Sequence, residues 1–247
     1  MSVLDAFAVA GMLVLARVSG FVLMVPGLSS ARIAMPVKAM LVAGLSLALT
    51  PLVAGRFAFP DAFAPALVVG ELATGLALGA LARLFFAAIA FSGSALSSFI
   101  GLTAPPGLTL DIDETLGPLA TLIVAAATAL VFASGLHRML IGALVDSYTV
   151  VAPGAMIEPA PAFQQAVTVL GEAFATGLRL SMPFLIYGVI VNGAIGLANR
   201  MAAQVPIYFV SMPFVVGGGL VLLVTLADSH VALFVDAFAV MVSAVLR

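Results

Sequence analysis

The stretch PFLIYGVIVNGAIGLANRMAAQVPIYFVSMPFVVGGG, residues 183–219, decides the fold. From Leu180 to Ala227 the only charged residue is Arg200, so two charge-free runs, 180–199 and 201–227, flank a short polar break. At about 1.5 Å per residue, each run is long enough as a helix to cross a hydrocarbon core roughly 30 Å thick. The composition of the whole chain agrees: its 247 residues are 64% hydrophobic and 8% charged, with a mean hydropathy of +1.29. Those values exclude an ordinary soluble domain and define an integral membrane protein. Nine basic and eleven acidic residues give a net charge of −2, which offers nucleic acid no electrostatic footprint. Cysteine is absent, removing disulfides, thiolate metal sites and cysteine nucleophiles.

Working outward, apolar segments fall at 6–28, 37–55, 66–104, 117–151, 164–198 and 206–227, followed by a final piece at 229–247. The runs are continuously apolar and rich in Ala, Leu, Val and Gly, where a membrane barrel would show alternating strands of about ten residues. The expected fold is therefore an all-α membrane protein of about six apolar helical segments, several of them long or kinked into hairpins. The segments 66–104 and 164–198 exceed a simple span, and each is expected to be a kinked helix, a hairpin or a helix reaching beyond the lipid. Pro/Gly-punctuated loops join the segments, and no linker or low-complexity tail interrupts them, so residues 1–247 read as one domain. The acid at Asp5 and the missing cleavage pattern make the first run a retained span. Arg32 and Lys38 would place the 29–38 loop in the cytoplasm.

Charges inside the apolar runs strain a plain row of spans: Arg17, Glu71, Arg83, Arg138, Asp146, Glu172 and Arg179. A central, lipid-facing Arg costs roughly 2.5–3.5 kcal/mol on an insertion scale. None of these charges has an opposite partner three or four residues away, so their partners are non-local, in other subunits or in water. The Arg side chains either snorkel to an interface or sit in surface that packs against other proteins. Small residues favour close helix packing: Gly75 and Gly79 form a G-x-x-x-G, and Gly188, Asn192, Gly196 and Arg200 recur along one helical stripe. That stripe serves either intramolecular packing or a subunit interface.

Catalytic signatures are missing. There are two histidines, His137 and His230, without H-E-x-x-H, and neither a G-x-S-x-G elbow nor a phosphate-binding G-x-x-x-x-G-K-[ST] occurs. His137, beside Arg138, reads as a helix-end or packed residue. Asp111, Asp113 and Glu114 read as a solvated turn between Pro105-Pro106 and Pro118. No enzyme activity, metal or cofactor is expected.

Four blocks carry a family resemblance: Arg17-Val18-Ser19-Gly20 to Pro26 with Pro36-Val37-Lys38; Gly70-Glu71 through Gly75, Gly79, Arg83 and Phe85; Gly135-Leu136-His137 through Asp146-Ser147 to Pro153-Gly154; and 180–219 itself. In this order they resemble the FliR/SctT-like family, the R subunits of type III secretion export gates, over nearly the whole chain. The residues at 197–211 lean toward the flagellar branch. The family commonly has proline before the residue matching Gln204, whereas this chain has Ala203, which moves the expected helix break toward Pro206.

The resemblance implies a non-enzymatic subunit assembled with P-, Q- and B-type subunits (FliP, FliQ, FlhB) in the bacterial inner membrane at the flagellar basal body. Such a gate forms a pore for unfolded flagellar proteins, and part of it is raised toward the periplasm. It further implies a pore plug at about 103–117, with Pro105, Pro106, Gly107, Asp111, Asp113 and Glu114. A subunit interface or helix break is expected at Gly188, Asn192, Gly196, Asn199, Arg200, Gln204, Pro206 and Pro213. The rival reading is a secondary transporter or channel for a small solute, since broken helices and charges within spans are signs of that class too. No convincing internal repeat supports it.

Overall fold

Proline positions set several helix starts. The computed structural model describes residues 3–30, 33–56, 65–102, 117–201, 204 and 207–244. Helix α1 runs Val3–Met24, α2 Met35–Val53, α3 Pro65–Phe99, α4 Pro118–Ala133, α5 Leu136–Val150, α6 Pro159–Met201 and α7 Ile207–Ala244. Helices α3, α4 and α6 begin on proline and α2 has one in its first turn, positions where the missing N–H would have no helical acceptor anyway. No strand occurs among the described residues.

By length and composition α1, α2, α3, α6 and α7 can each cross a membrane, and α4 and α5, bent by 73° at their break, make a sixth only when the pair counts as one span. The bend falls at Gly135, whose φ of 77° is left-handed and disfavours a Cβ.

The long segments resolve more simply than a hairpin would. Within these segments α3 runs unbroken to Phe99 and α6 spans all of 164–198, continuing through Pro183. The separation of 206–227 from 229–247 does not hold among the described residues, because Ile207–Ala244 is the single helix α7. Asp228 points outward from that helix, so a charge there needs no chain break.

The chain divides into two compact units, Met1–Phe86, Phe132–Gly171 and Phe238–Arg247 in the first, and Ala87–Val131 with Glu172–Ala237 in the second. In the first unit, α1 and α3 meet backbone to backbone. A Cβ on Gly20 would lie 2.5 Å from the Leu72 carbonyl oxygen and 2.8 Å from the Leu76 nitrogen. One on Gly75 would run into the Arg17 carbonyl, and one on Gly79 would lie 2.6 Å from Met24 Cβ. The G-x-x-x-G is thus an intramolecular crossing. Phe238 closes this unit edge-on to Phe85, with ring centroids 5.4 Å apart.

The second unit is built on Leu96, Ile100, Leu119 and Phe184, with Tyr187, Leu222 and Leu223 packed against them. Its glycines mark close approaches: Gly177 faces Ser92, Gly188 faces Phe99, Gly218 faces the Tyr187 hydroxyl and Gly219 faces Ile100.

Burial is uneven. Half of the apolar stretch is buried in α1 and in α3, against 22% in α2, 17% in α6 and 11% in α7. The last three therefore present most of their apolar side chains outward.

Overpacking a tight crossing costs about 1–3 kcal/mol, and more against backbone. Gly75→Leu should therefore lower the thermal stability of the detergent-purified chain markedly. Gly196→Leu, at a position with nothing within 4 Å, should leave it nearly unchanged. Equal effects in a thermal unfolding assay would contradict the α1–α3 crossing.

Candidate functional site

A buried ion pair gathers three of the sequence blocks. Arg17 on α1 and Glu71 on α3 are both fully buried, with Nε to Oε2 at 2.7 Å and Nη2 to Oε1 at 3.2 Å. This two-pronged pairing matches the planar guanidinium fork to the carboxylate. Two further Arg17 N–H groups are also used: Nη1 donates to Ser147 Oγ at 2.9 Å and Nη2 to the Val151 carbonyl at 3.2 Å. The guanidinium carbon lies 3.7 Å from the centroid of the Tyr148 ring, a cation–π contact. Glu71 Oε1 accepts a 2.6 Å hydrogen bond from the Gly154 N–H. Gly154 has φ 76°, and a Cβ there would run against Leu67. One pair therefore ties α1, α3, α5 and the Pro153-Gly154 turn together.

The other charges within apolar runs behave differently. Arg83, Arg138, Asp146, Glu172 and Arg179 are exposed. Glu71 is thus the non-local partner expected for Arg17, 54 residues away in sequence. Snorkelling is wrong for Arg17, because its charge is satisfied inside the fold. Tyr148 and Ser147 complete the Arg17 shell, and neither has a charge pattern that would reveal the contact from sequence.

The hairpin of α6 and α7 holds most of the second predicted set. Gly188 is buried against Phe99, with a notional Cβ 2.9 Å from the Phe99 Cβ. Asn192, Gly196, Asn199 and Arg200 are exposed, and Asn192 donates back to the Gly188 carbonyl at 2.8 Å. The stripe thus splits between intramolecular packing at one end and an open face at the other. Helix α6 ends at Met201, Gln204 lies in a turn and α7 starts at Ile207. Pro206 lies outside the described residues, while Pro213 is exposed within α7.

Gln165 Nε2 donates across the hairpin to the Ala244 carbonyl at 3.1 Å, and two further side chains tie α6 to α7 without any mark in the sequence. The Tyr187 hydroxyl donates to the carbonyls of Phe214 and Val215, at 3.3 and 2.9 Å. His230 bridges to the Leu180 carbonyl at 2.9 Å.

Pro105, Pro106, Gly107, Asp111, Asp113 and Glu114 lie outside the described residues. Among the described residues no cluster of three or more His, Asp or Glu could hold a metal. His137 stacks on Phe132 at 5.6 Å, as a packed helix-end residue.

The fold and these ties define a helical integral membrane protein with one fixed ionic node and a long, largely outward-facing hairpin. The chain belongs to the family described as bacterial export proteins, family 1, whose sequence model matches residues 8–241. It is similar to the flagellar biosynthetic protein FliR of Caulobacter vibrioides, 28% identical over 228 residues that cover 89% of this chain and 91% of that protein. It is also similar to FliR of Escherichia coli, 28% identical over 66% of this chain and 63% of the relative. The secretion system apparatus protein SsaT of Salmonella typhimurium is 27% identical over 60% of this chain and 57% of that protein.

Removing one partner of a buried ion pair leaves an unpaired charge, at a cost of about 3–5 kcal/mol, whereas replacing both with apolar residues is often neutral. Arg17→Met and Glu71→Leu should each sharply reduce the folded yield, and the double variant should recover most of it. A double variant as poor as the sum of the singles, measured by thermal unfolding, would contradict the pairing.

Proposed function

We propose that this chain is a non-enzymatic R-type subunit of a flagellar type III protein export gate. The observation that carries this reading is the match to a FliR protein along 89% of the chain. The flagellar branch is favoured over the virulence branch because the SsaT match covers less, 60% of the chain.

The helix lengths support an assembly. Helix α6 has 43 residues and α7 has 38, so they extend about 65 and 57 Å, well beyond a hydrocarbon core of about 30 Å. The part of α6 before Leu180 exposes Phe163, Leu170 and Phe174 together with Glu172 and Arg179. Large apolar side chains mixed with charges suit neither lipid nor water alone, and a neighbouring subunit would cover them.

In this reading the partners are P-, Q- and B-type subunits (FliP, FliQ, FlhB), the cargo is unfolded flagellar protein, and the location is the inner membrane at the flagellar basal body, with part of the assembly raised toward the periplasm. Residues 1–247 act as one gate domain, since α3, α6 and α7 each contribute to both units. The open face at Asn192, Gly196, Asn199 and Arg200, with the break at Gln204-Val205-Pro206 and Pro213 beyond it, is the partner-facing part of the hairpin. Region 103–117 acts as the pore plug: its prolines stop helices, Gly107 and Gly117 permit bending, and three acids favour a hydrated lumen over lipid. A small-solute transporter is not favoured, because the relatives' names and the family description concern export and secretion.

Deleting the gene should abolish motility and the appearance of flagellar proteins in the medium, and normal export would overturn the assignment. Arg200→Ala should reduce co-purification of the partner subunits while leaving the membrane-inserted amount of the chain unchanged; normal complex yield would remove Arg200 from the interface. Deletion of 107–114 should let ions leak across the inner membrane, and a tight membrane with normal export would sink the plug assignment.

A further inference from the structure

We propose that one face of α7, formed by Thr225, Asp228, Ser229, Ala232 and Asp236, borders water rather than lipid. At about 100° per residue these five positions share an arc of about 100°, and all five are exposed. They include both carboxylates of the helix and no large apolar side chain. The exposed Val221 and Val240, on the same side, mark the two ends of the polar stretch. Leu220, Val224 and Val231 are also exposed, but they point about a third of a turn away. Val215, Gly219 and Phe234, which are buried, take up the remaining side. The helix thus has one packed face, one open apolar face and one open polar face.

The partners of these side chains decide what can lie beside them. Thr225 Oγ1 is satisfied by the Val221 carbonyl at 2.8 Å. Asp228, Ser229 and Asp236 make no side-chain hydrogen bond or ion pair among the described residues. Helix α7 contains no Lys or Arg. Arg179 on α6 precedes Leu180, whose carbonyl meets His230, yet it forms no salt bridge with either acid among the described residues. Both carboxylates therefore need neutralising or solvating from outside the chain.

An unpartnered carboxylate is among the most costly groups to place in hydrocarbon, although α7 is long and apolar enough to cross a membrane. Aspartate cannot escape by snorkelling as Lys and Arg do, because its carboxyl sits one carbon from the backbone. The polar stretch from Thr225 to Asp236 is about 16 Å long, so tilting one end toward an interface does not free the other. A protein neighbour would have to bring a cation to each carboxylate, since a single unpaired buried charge is strongly destabilising. Water solvates both without matched geometry. The polar face therefore looks into an aqueous space while the apolar face meets lipid or apolar protein. This inference rests on α7 alone and stands apart from the chain's assignment to an export gate.

The sequence has no cysteine, so single cysteines in the full chain, kept in its own membranes, report each face separately. Ser229→Cys and Ala232→Cys probe the polar face, and Val224→Cys and Val231→Cys the apolar one. Each variant is treated from both sides of the membrane with a charged, membrane-impermeant methanethiosulfonate. The polar-face cysteines should react at least about tenfold faster, because the reactive thiolate forms in water and is suppressed in apolar surroundings. Labelling after denaturation should be equal for all four variants, showing that each chain is present. Equal rates on the two faces, or polar-face cysteines as inert as Val224→Cys, would overturn the proposal. So would a polar face that reacts only after detergent has separated the chain from its neighbours, the result that a basic protein partner gives.

Discussion

A guanidinium charge inside an apolar protein is tolerable only when its donors are occupied, and that requirement organises the first unit. Arg17 is fully buried, so Glu71 stands opposite it, Ser147 and Val151 each accept a further hydrogen, and Tyr148 presents its ring face. These partners lie on α3, α5 and the segment just after α5. The small residues of the neighbourhood follow from the same demand. Gly20, Gly75 and Gly79 let α1 approach α3 closely enough for a short ion pair, and Gly154 turns the chain so that its N–H reaches Glu71. The glycines and the charges are two parts of one arrangement.

The second unit follows a softer rule. Its core is aliphatic and aromatic, around Ile100 and Phe184, and its polar ties run to backbone carbonyls. Such ties hold two helices beside each other without fixing a buried charge. Much of α6 and α7 is left facing outward, with Phe209, Phe214, Val221 and Val224 exposed. A surface of that kind is satisfied by lipid or by other apolar helices, whereas Arg200 at the end of α6 requires polar company. A fixed ionic node and a hairpin with open faces are what a subunit needs if it must keep its own fold while being built into a larger membrane assembly.

Much of this was legible in the residues. Continuous apolar runs gave the helices, prolines marked their starts, and the spacing of Gly75 and Gly79 announced a close crossing. The seven interior charges were visible too, but the Arg17–Glu71 contact was not, because its partners are 54 positions apart and local spacing carries no information about such a pair. Asp228 read as the end of a span, although on an exposed helix face a carboxylate interrupts nothing. The bend at Gly135 was hidden by an apolar run that continues on both sides of it. The bridging roles of Tyr187 and His230 depend on which carbonyls oppose them, and that is set by tertiary packing alone. Of the site residues read from sequence, Gly188 turned inward while Asn192, Gly196, Asn199 and Arg200 stayed open, a division that four-residue periodicity does not reveal.

An export-gate role requires the apolar outward faces of α6 and α7 to be covered by other protein subunits. The most direct measurement is native mass spectrometry of the chain purified from its own membranes under mild detergent. A defined hetero-oligomer containing P- and Q-type subunits is the predicted result. A stable, folded monomer carrying only lipid and detergent would contradict the account.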